Sequence, residues 1–239
     1  MEKWKSFLKY ISIAILCVGF ISCCPGHRVN INNFKSYVKA NKATVYISIT
    51  NAMMDGSVAS MSGSGVAIDN GVSNNGTSET LVLTAGHVCI EGIRPDIIFT
   101  EVIVMNVRGE AYYSKLVDID DNFDLCLIKI DAMLPIAKLS KNEPRSGERV
   151  SYSGYPTGMY VPGNLNYFDG YMSGKDPTGD HMYNMPVVGG ASGSPVYNSK
   201  GQIVSIVSAV MEDFEHMALG VGTSNIQNFI NDNKDWLDK

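Results

Sequence analysis

From residue 44 to residue 222 the chain returns repeatedly to short runs of β-branched and aromatic residues, each closed off by glycine, asparagine or proline. Thr44-Val45-Tyr46-Ile47-Ser48-Ile49 alternates side-chain character with a period of two, the pattern of a half-buried strand. Runs of this kind predict strands at 44–49, 63–68, 80–84, 97–107, 111–118 and 124–130. They resume at 149–153, 166–173, 182–188, 194–198, 202–210 and 217–222. Asp55-Gly56, Asn70-Gly71 and Asn74-Asn75-Gly76 read as loops or turns, and Asn198-Ser199-Lys200-Gly201 as a hairpin turn. Thr223 to Leu237 differs: Ile226, Phe229, Ile230 and Trp236 follow a helical period after a Thr/Ser start, predicting a capped amphipathic helix. About a dozen short strands and a closing helix predict an all-β fold built as a pair of barrels. Pro135 and the segment Ser140 to Gly147 read as the crossing between a first lobe over 43–139 and a second over 148–239. A chain of 239 residues buries enough surface to fold without a metal or a disulfide framework.

Charge narrows the partners. The formal net charge is −5, and residues 1–23 carry Lys3, Lys5 and Lys9 against Glu2. No Lys/Arg cluster offers a phosphate-binding stripe, so nucleic acid is excluded as the main partner. The basic lead is followed by an apolar run from Ile11 to Ile21, broken only by Ser12 and Gly19. That is short of the ~20 apolar residues of a membrane span and suits a signal-peptide core within residues 1–24. The run ends in Ser22-Cys23-Cys24, which is similar to the lipobox of bacterial lipoproteins and makes Cys23 a lipidation candidate, although Phe20 stands where that motif prefers Leu. An uncleaved anchor or an ordinary signal peptide are the alternatives. The expectation is an exported protein, secreted, periplasmic or held at the membrane through this segment or its lipid. Residues 28–42 read as a short helix or an arm. Of five cysteines, Cys89 and Cys126 lie in the body of the chain, and either a disulfide or two buried thiols fits them.

Three segments carry chemistry. Leu83-Thr84-Ala85-Gly86-His87-Val88 ends a strand and sets His87, one of four histidines, at a tight turn. Gly189-Gly190-Ala191-Ser192-Gly193-Ser194-Pro195 surrounds Ser192 with glycines, which allow a sharp turn and leave room for a substrate at the hydroxyl. Its Gly190 and Ser192 N–H groups are the candidate oxyanion hole. Asp124 immediately precedes the apolar run Leu125-Cys126-Leu127-Ile128, which marks it for burial ahead of Asp118, Asp120 and Asp121. Nucleophile, base, orienter and oxyanion donors are the four parts that acyl transfer by a hydroxyl needs.

The blocks T-A-G-H, D-L-x-L-I and G-x-S-G-S-P, in the order His, Asp, Ser, resemble the chymotrypsin/trypsin-like serine peptidases; an α/β-hydrolase would place its Ser first. The resemblance runs from about residue 43 to the C-terminal helix, and its flavour is that of compact bacterial and viral members, including the glutamyl-endopeptidase type. It implies two six-stranded antiparallel β-barrels, a His87–Asp124–Ser192 triad, protein or peptide substrates, and no metal or cofactor. It also implies that Ser208 supports Asp124, and that Pro186, with Ser208, Ala209 and Val210, lines the primary specificity pocket. Ala191 stands where the digestive enzymes keep an Asp that pairs with a freed N-terminus, so that activation switch is absent. Val88 replaces the Cys that follows the His, which removes the family's common first-lobe disulfide.

Substrate preference is less constrained. By the same resemblance Pro186 falls near the position where an Asp would select Arg or Lys, and Val207-Ser208 stands where a glutamyl preference would want a His. An apolar or small side chain is the expectation. His181 reads as an exposed strand-edge residue, with reach into the pocket as the alternative, and most of Met182, Met185, Tyr152, Tyr155 and Tyr160 read as core or rim, with lining of the cleft as the alternative. The rival reading is a catalytically inactive homologue acting as a binding module. Oligomeric state is not constrained by the sequence.

Overall fold

The computed structural model describes residues 40–90, 95–211, 214 and 216–236. The expectations for residues 1–24 and for Cys23 lie outside the described residues, as does the part up to residue 39 of the short helix or arm expected over 28–42. Six antiparallel strands form a closed first barrel: β1 (Thr44–Met53), β2 (Val58–Val72), β3 (Ser78–Ala85), β4 (Ile97–Asn106), β5 (Ala111–Asp120) and β6 (Leu125–Ile130), ordered β1-β2-β3-β6-β5-β4. A five-residue helix α1 (Gly86–Ile90) follows β3. β7 (Lys138–Leu139) lies in the crossing and pairs parallel with β12.

The second barrel is closed by β8 (Arg149–Gly154), β9 (Asn166–Lys175), β10 (His181–Asn184), β11 (Pro195–Tyr197), β12 (Gln202–Val210) and β13 (Met217–Gly220). Its ring runs β11-β8-β9-β10-β13-β12, and β12 pairs back to β11. The chain is therefore all-β, two six-stranded antiparallel barrels and a C-terminal helix α2 (Thr223–Asp232).

The alternation that marks β1 works as expected: Val45, Ile47 and Ile49 are buried in the first barrel with Val66, Leu81, Leu83, Leu125 and Leu127. A second apolar cluster around Tyr152, Met172, Tyr183, Val196 and Val207 fills the other barrel. The barrels are stitched by buried polar contacts: Thr44 Oγ1 and Ser153 Oγ lie 2.7 Å apart, and the Tyr197 hydroxyl donates to the Ala40 carbonyl at 3.1 Å. α2 buries Ile226 and Phe229, each side chain of this size contributing roughly 1.5–3 kcal/mol. Among the described residues, no helix is long and apolar enough to cross a membrane.

Several details differ from the sequence reading. β2 runs through Asn70-Gly71, because pairing with β3 continues to Val72↔Ser78, and the turn is confined to Ser73–Thr77, around the expected Asn74-Asn75-Gly76. β10 stops at Asn184, four residues short of the expected end. The helix cap is Gly222, with no side-chain cap: the Thr223 hydroxyl donates to the Val204 carbonyl at 2.5 Å, and the helix ends before Trp236. His181 is not at an exposed edge but fully buried, paired with Gly220 on one side and Lys175 on the other.

Candidate active site

β3 carries the chain into α1 through Gly86, where a side chain has no room: a Cβ would stand 3.0 Å from the Asp124 carbonyl carbon and from the Leu125 nitrogen. This close passage sets His87 over Asp124. Asp124 itself sits just before β6 at φ 52°, a left-handed conformation that Asp tolerates better than most residues. Its Oδ1 accepts from the His87 backbone N–H at 2.7 Å, and the His87 ring Nδ1 lies 3.0 Å from both carboxylate oxygens. Ser208, near the end of β12, donates its hydroxyl to Asp124 Oδ2. One carboxylate thus holds the backbone and ring of His87 from the first barrel and a hydroxyl from the second.

Partial burial works to raise the Asp124 carboxyl, and the hydrogen bonds from the His87 ring, Ser208 and the His87 N–H outweigh it, holding the group below its ordinary value. Asp124 therefore remains an anion at neutral pH. Paired with it, the His87 ring keeps 42 % of its side-chain surface exposed, so a substrate group can approach the imidazole.

Ser192 lies on the loop between β10 and β11. The loop is fastened at short intervals: Ala191 N–H to the Val188 carbonyl, Gly193 N–H to Val207, and Ser194 N–H to Ala191, at 2.8–3.0 Å. The Ser192 carbonyl accepts from the Ser64 N–H of β2 at 2.8 Å. Gly193, at φ 82°, is pressed against the end of β3: a Cβ there would collide with the Ser64 carbonyl and the Thr84 hydroxyl and stand 3.1 Å from the Ala85 nitrogen. The Ser192 loop thus packs against the strand end that leads into His87.

The geometry also bears on the Gly190 and Ser192 N–H groups. The Gly189 carbonyl accepts from the Thr157 N–H at 2.6 Å. In a trans peptide the C=O and the following N–H point in opposite directions, so the Gly190 N–H faces away from Thr157. Gly190 holds φ 85°, and a Cβ on it would meet three backbone atoms, Tyr155 O at 2.8 Å, Gly158 N at 2.9 Å and Thr157 N at 3.0 Å. Only glycine fits there. Neither the Gly190 nor the Ser192 N–H donates to an acceptor among the described residues, leaving two donors for a ligand.

Of the residues expected to line a pocket, Pro186 is exposed and engaged through its carbonyl, which accepts from the Tyr152 hydroxyl at 2.8 Å. Ser208 is half-buried, while Ala209 and Val210 are exposed. Val188 and Met211 add exposed apolar surface beside them. Tyr152, Tyr155 and Met185 are buried. Cys89 and Cys126 form a disulfide. The sequence reading did not single out Ser64 or Thr157; the only hint of Ser64 was its place between Gly63 and Gly65.

Comparison with known proteins bears on the same residues. The chain is 30 % identical over 143 residues to "Probable periplasmic serine endoprotease DegP-like" of Pseudomonas putida (strain GB-1), covering 56 % of this chain and 28 % of that protein. It is 25 % identical over 139 residues to the protein of the same name from Pseudomonas fluorescens (strain Pf-5), again covering 56 % and 28 %. The match thus spans under a third of these relatives' length. Among solved structures, the serine endoprotease from Yersinia pestis superposes with a TM-score of 0.65 at 20 % identity, covering 89 % of this chain and 69 % of that one, a likeness of fold. Residues 63–206, well over half the chain and inclusive of His87, Asp124 and Ser192, match the trypsin-like peptidase domain, and the chain belongs to that family.

Proposed function

We propose that this chain is a serine endopeptidase acting through an acyl-enzyme, with His87, Asp124 and Ser192 as its triad. The observation that supports this most is the Asp124 carboxylate, engaged at once by the His87 ring, the His87 N–H and Ser208, with the Ser192 loop packed on the strand end before His87. Asp124 keeps a proton on His87 Nδ1, which leaves Nε2 as the base. Nε2 takes the proton of Ser192 Oγ as that oxygen bonds to the substrate carbonyl carbon. The carbonyl electron pair moves onto oxygen, where the Gly190 and Ser192 N–H groups receive it. When the tetrahedral intermediate collapses, the C–N bond breaks and the amine leaves with the proton from Nε2. Water then attacks the acyl ester by the same route, releasing the carboxylic acid and returning the proton to Ser192.

The substrates in this reading are proteins or peptides with an apolar or small residue before the cut bond. Supporting this, Val188, Val210 and Met211 present exposed apolar surface, and the runs 185–188 and 208–211 contain no charged residue. Export is supported by the periplasmic naming of the relatives and by the Cys89–Cys126 disulfide, which suits an oxidising compartment. The N-terminal basic and apolar segment is the proposed export signal, with Cys23 as the lipidation candidate.

The test is labelling of the purified chain by a fluorophosphonate probe beside Ser192→Ala. Label on the wild type and none on the variant is the expected result. A folded wild-type chain that takes no label would leave a binding module on a peptidase fold as the better reading.

A further inference from the structure

The mechanism assigns no role to Ser64, yet this residue of the first barrel touches the oxyanion-hole segment of the second at two points. Ser64 is fully buried on β2. Its N–H donates to the Ser192 carbonyl at 2.8 Å, and its carbonyl accepts from the Thr84 hydroxyl at 2.7 Å, three residues before His87. Its side chain does something separate. Ser64 Oγ donates to the Gly190 carbonyl at 3.0 Å and accepts from the Tyr155 N–H at 3.0 Å. A hydroxyl has one proton and accepting lone pairs, so both bonds are satisfied by one orientation. Gly154 is part of the same fit, since a Cβ on it would stand 3.0 Å from Ser64 Oγ and collide with Ser194.

These contacts surround Gly190. The peptide before it is held at its carbonyl by the Thr157 N–H, and the peptide after it by Ser64 Oγ at the carbonyl and by the Val188 carbonyl at the N–H. A glycine can rotate both flanking peptides at little steric cost, so these bonds decide where the Gly190 N–H points. We infer that the Ser64 hydroxyl is a positioning group for the oxyanion hole: by holding the peptide that follows Gly190 it lets the first barrel fix the backbone of Gly190, while Thr157 holds the preceding peptide that carries the Gly190 N–H. This rests on the serine-peptidase reading above. Removing the hydroxyl frees the peptide on one side and leaves the buried Tyr155 N–H without its acceptor. The loss falls on the transition state, where charge develops on the substrate oxygen, more than on the bound substrate.

The experiment compares wild type, Ser64→Ala and Ser64→Cys as full chains. Ser153→Ala is the control, because it removes a different buried inter-barrel hydroxyl contact, that with Thr44, and none of the bonds that flank Gly190. Steady-state kinetics on a peptide substrate, inhibition by a peptide boronate and thermal midpoints are read together. Ser64→Ala is expected to lower kcat about 5- to 50-fold with KM within about twofold, and to weaken the boronate by a similar factor. Ser64→Cys, a near-isostere with a weak donor, is expected to fall between, and it carries the test if the alanine variant does not fold. Ser153→Ala is expected to lose thermal stability and keep kcat. A Ser64→Ala or Ser64→Cys enzyme with wild-type kcat and boronate affinity, changed only in thermal midpoint, would make Ser64 a packing residue and overturn the inference. A wild-type chain inert to fluorophosphonate overturns the peptidase reading and this inference with it.

Discussion

Cys89 and Cys126 are joined by a disulfide, each lying two residues beyond one member of the His87–Asp124 pair. The bond ties α1 to β6 at the place where the ring and the carboxylate meet. It closes a span of 37 residues, for which chain-entropy reasoning gives about 2–4 kcal/mol. Cys89→Ser with Cys126→Ser is expected to lower the thermal midpoint by roughly 4–16 °C. Melting curves with and without reductant check this: reductant should shift the wild type and leave the double variant in place.

Asp124→Asn keeps the side-chain size but exchanges an anion for an amide that cannot hold Nδ1–H in the same way. In the proposed triad it lowers kcat on the order of 10⁴-fold, by analogy with the template triad. Ser208→Ala removes one hydroxyl donor to that carboxylate and is expected to cost roughly 10-fold in kcat. Asp120→Asn and Asp121→Asn should stay within about twofold. Kinetics of the four variants on one peptide checks the ranking, and an Asp120 or Asp121 variant worse than Asp124→Asn would sink the assignment.

Gly190→Ala places a Cβ against the three backbone atoms named above at a φ that favours glycine. The loop must shift, and the donor with it. The expected loss in kcat is about 10²- to 10³-fold, the scale of one missing oxyanion donor. Circular dichroism alongside separates this from global unfolding.

Buried His181 gives the fold a pH dependence of its own. Burial pushes its imidazole down to about 4, against the opposing pull of Glu143, while Lys175 adds to the depression. Its Nδ1 lies 2.9 Å from the Tyr183 hydroxyl, and its Nε2 is 3.9 Å from the Glu143 carboxylate, itself bonded to Lys175 and Ser224. Between about pH 6.5 and pH 4 the unfolded chain binds a proton that the folded chain refuses, so stability falls as pH falls through that window. The full effect is about 3 kcal/mol. Urea unfolding of the wild type and His181→Gln at pH 7 and pH 4 checks it, the variant losing less on acidification.

Much of the fold is legible in the sequence, for a physical reason. Strands such as β1 and β6 carry their burial in their side-chain pattern, and Asp124, which opens an apolar run, is the carboxylate that the fold sets against the His87 ring. His181 was misjudged because its burial comes from β9 and β13 on either side, which no local window contains. The Thr223 hydroxyl looked like a cap, yet the Val204 carbonyl of β12 lies nearer to hand. Asn70-Gly71 carries a turn signal that the ladder with β3 overrides. Ser64 and Thr157 were invisible because their work is done through bonds across more than 30 residues of chain, to a loop whose position only the fold supplies.

The crossing between the barrels has a further consequence. It is zipped onto the second barrel, with β7 paired to β12, Ser140 N–H bonded to the Ile203 carbonyl, and the Gln227 amide on the Ser140 carbonyl. Arg145, Ser146 and Gly147, just beyond, are exposed. His87 and Asp124 lie before that point and Ser192 and Ser208 after it. Severed there, the polypeptide would become two fragments, each carrying part of the proposed triad. Such a pair would act as a complementation reporter, silent apart and switched on when the fragments are brought within reach of each other.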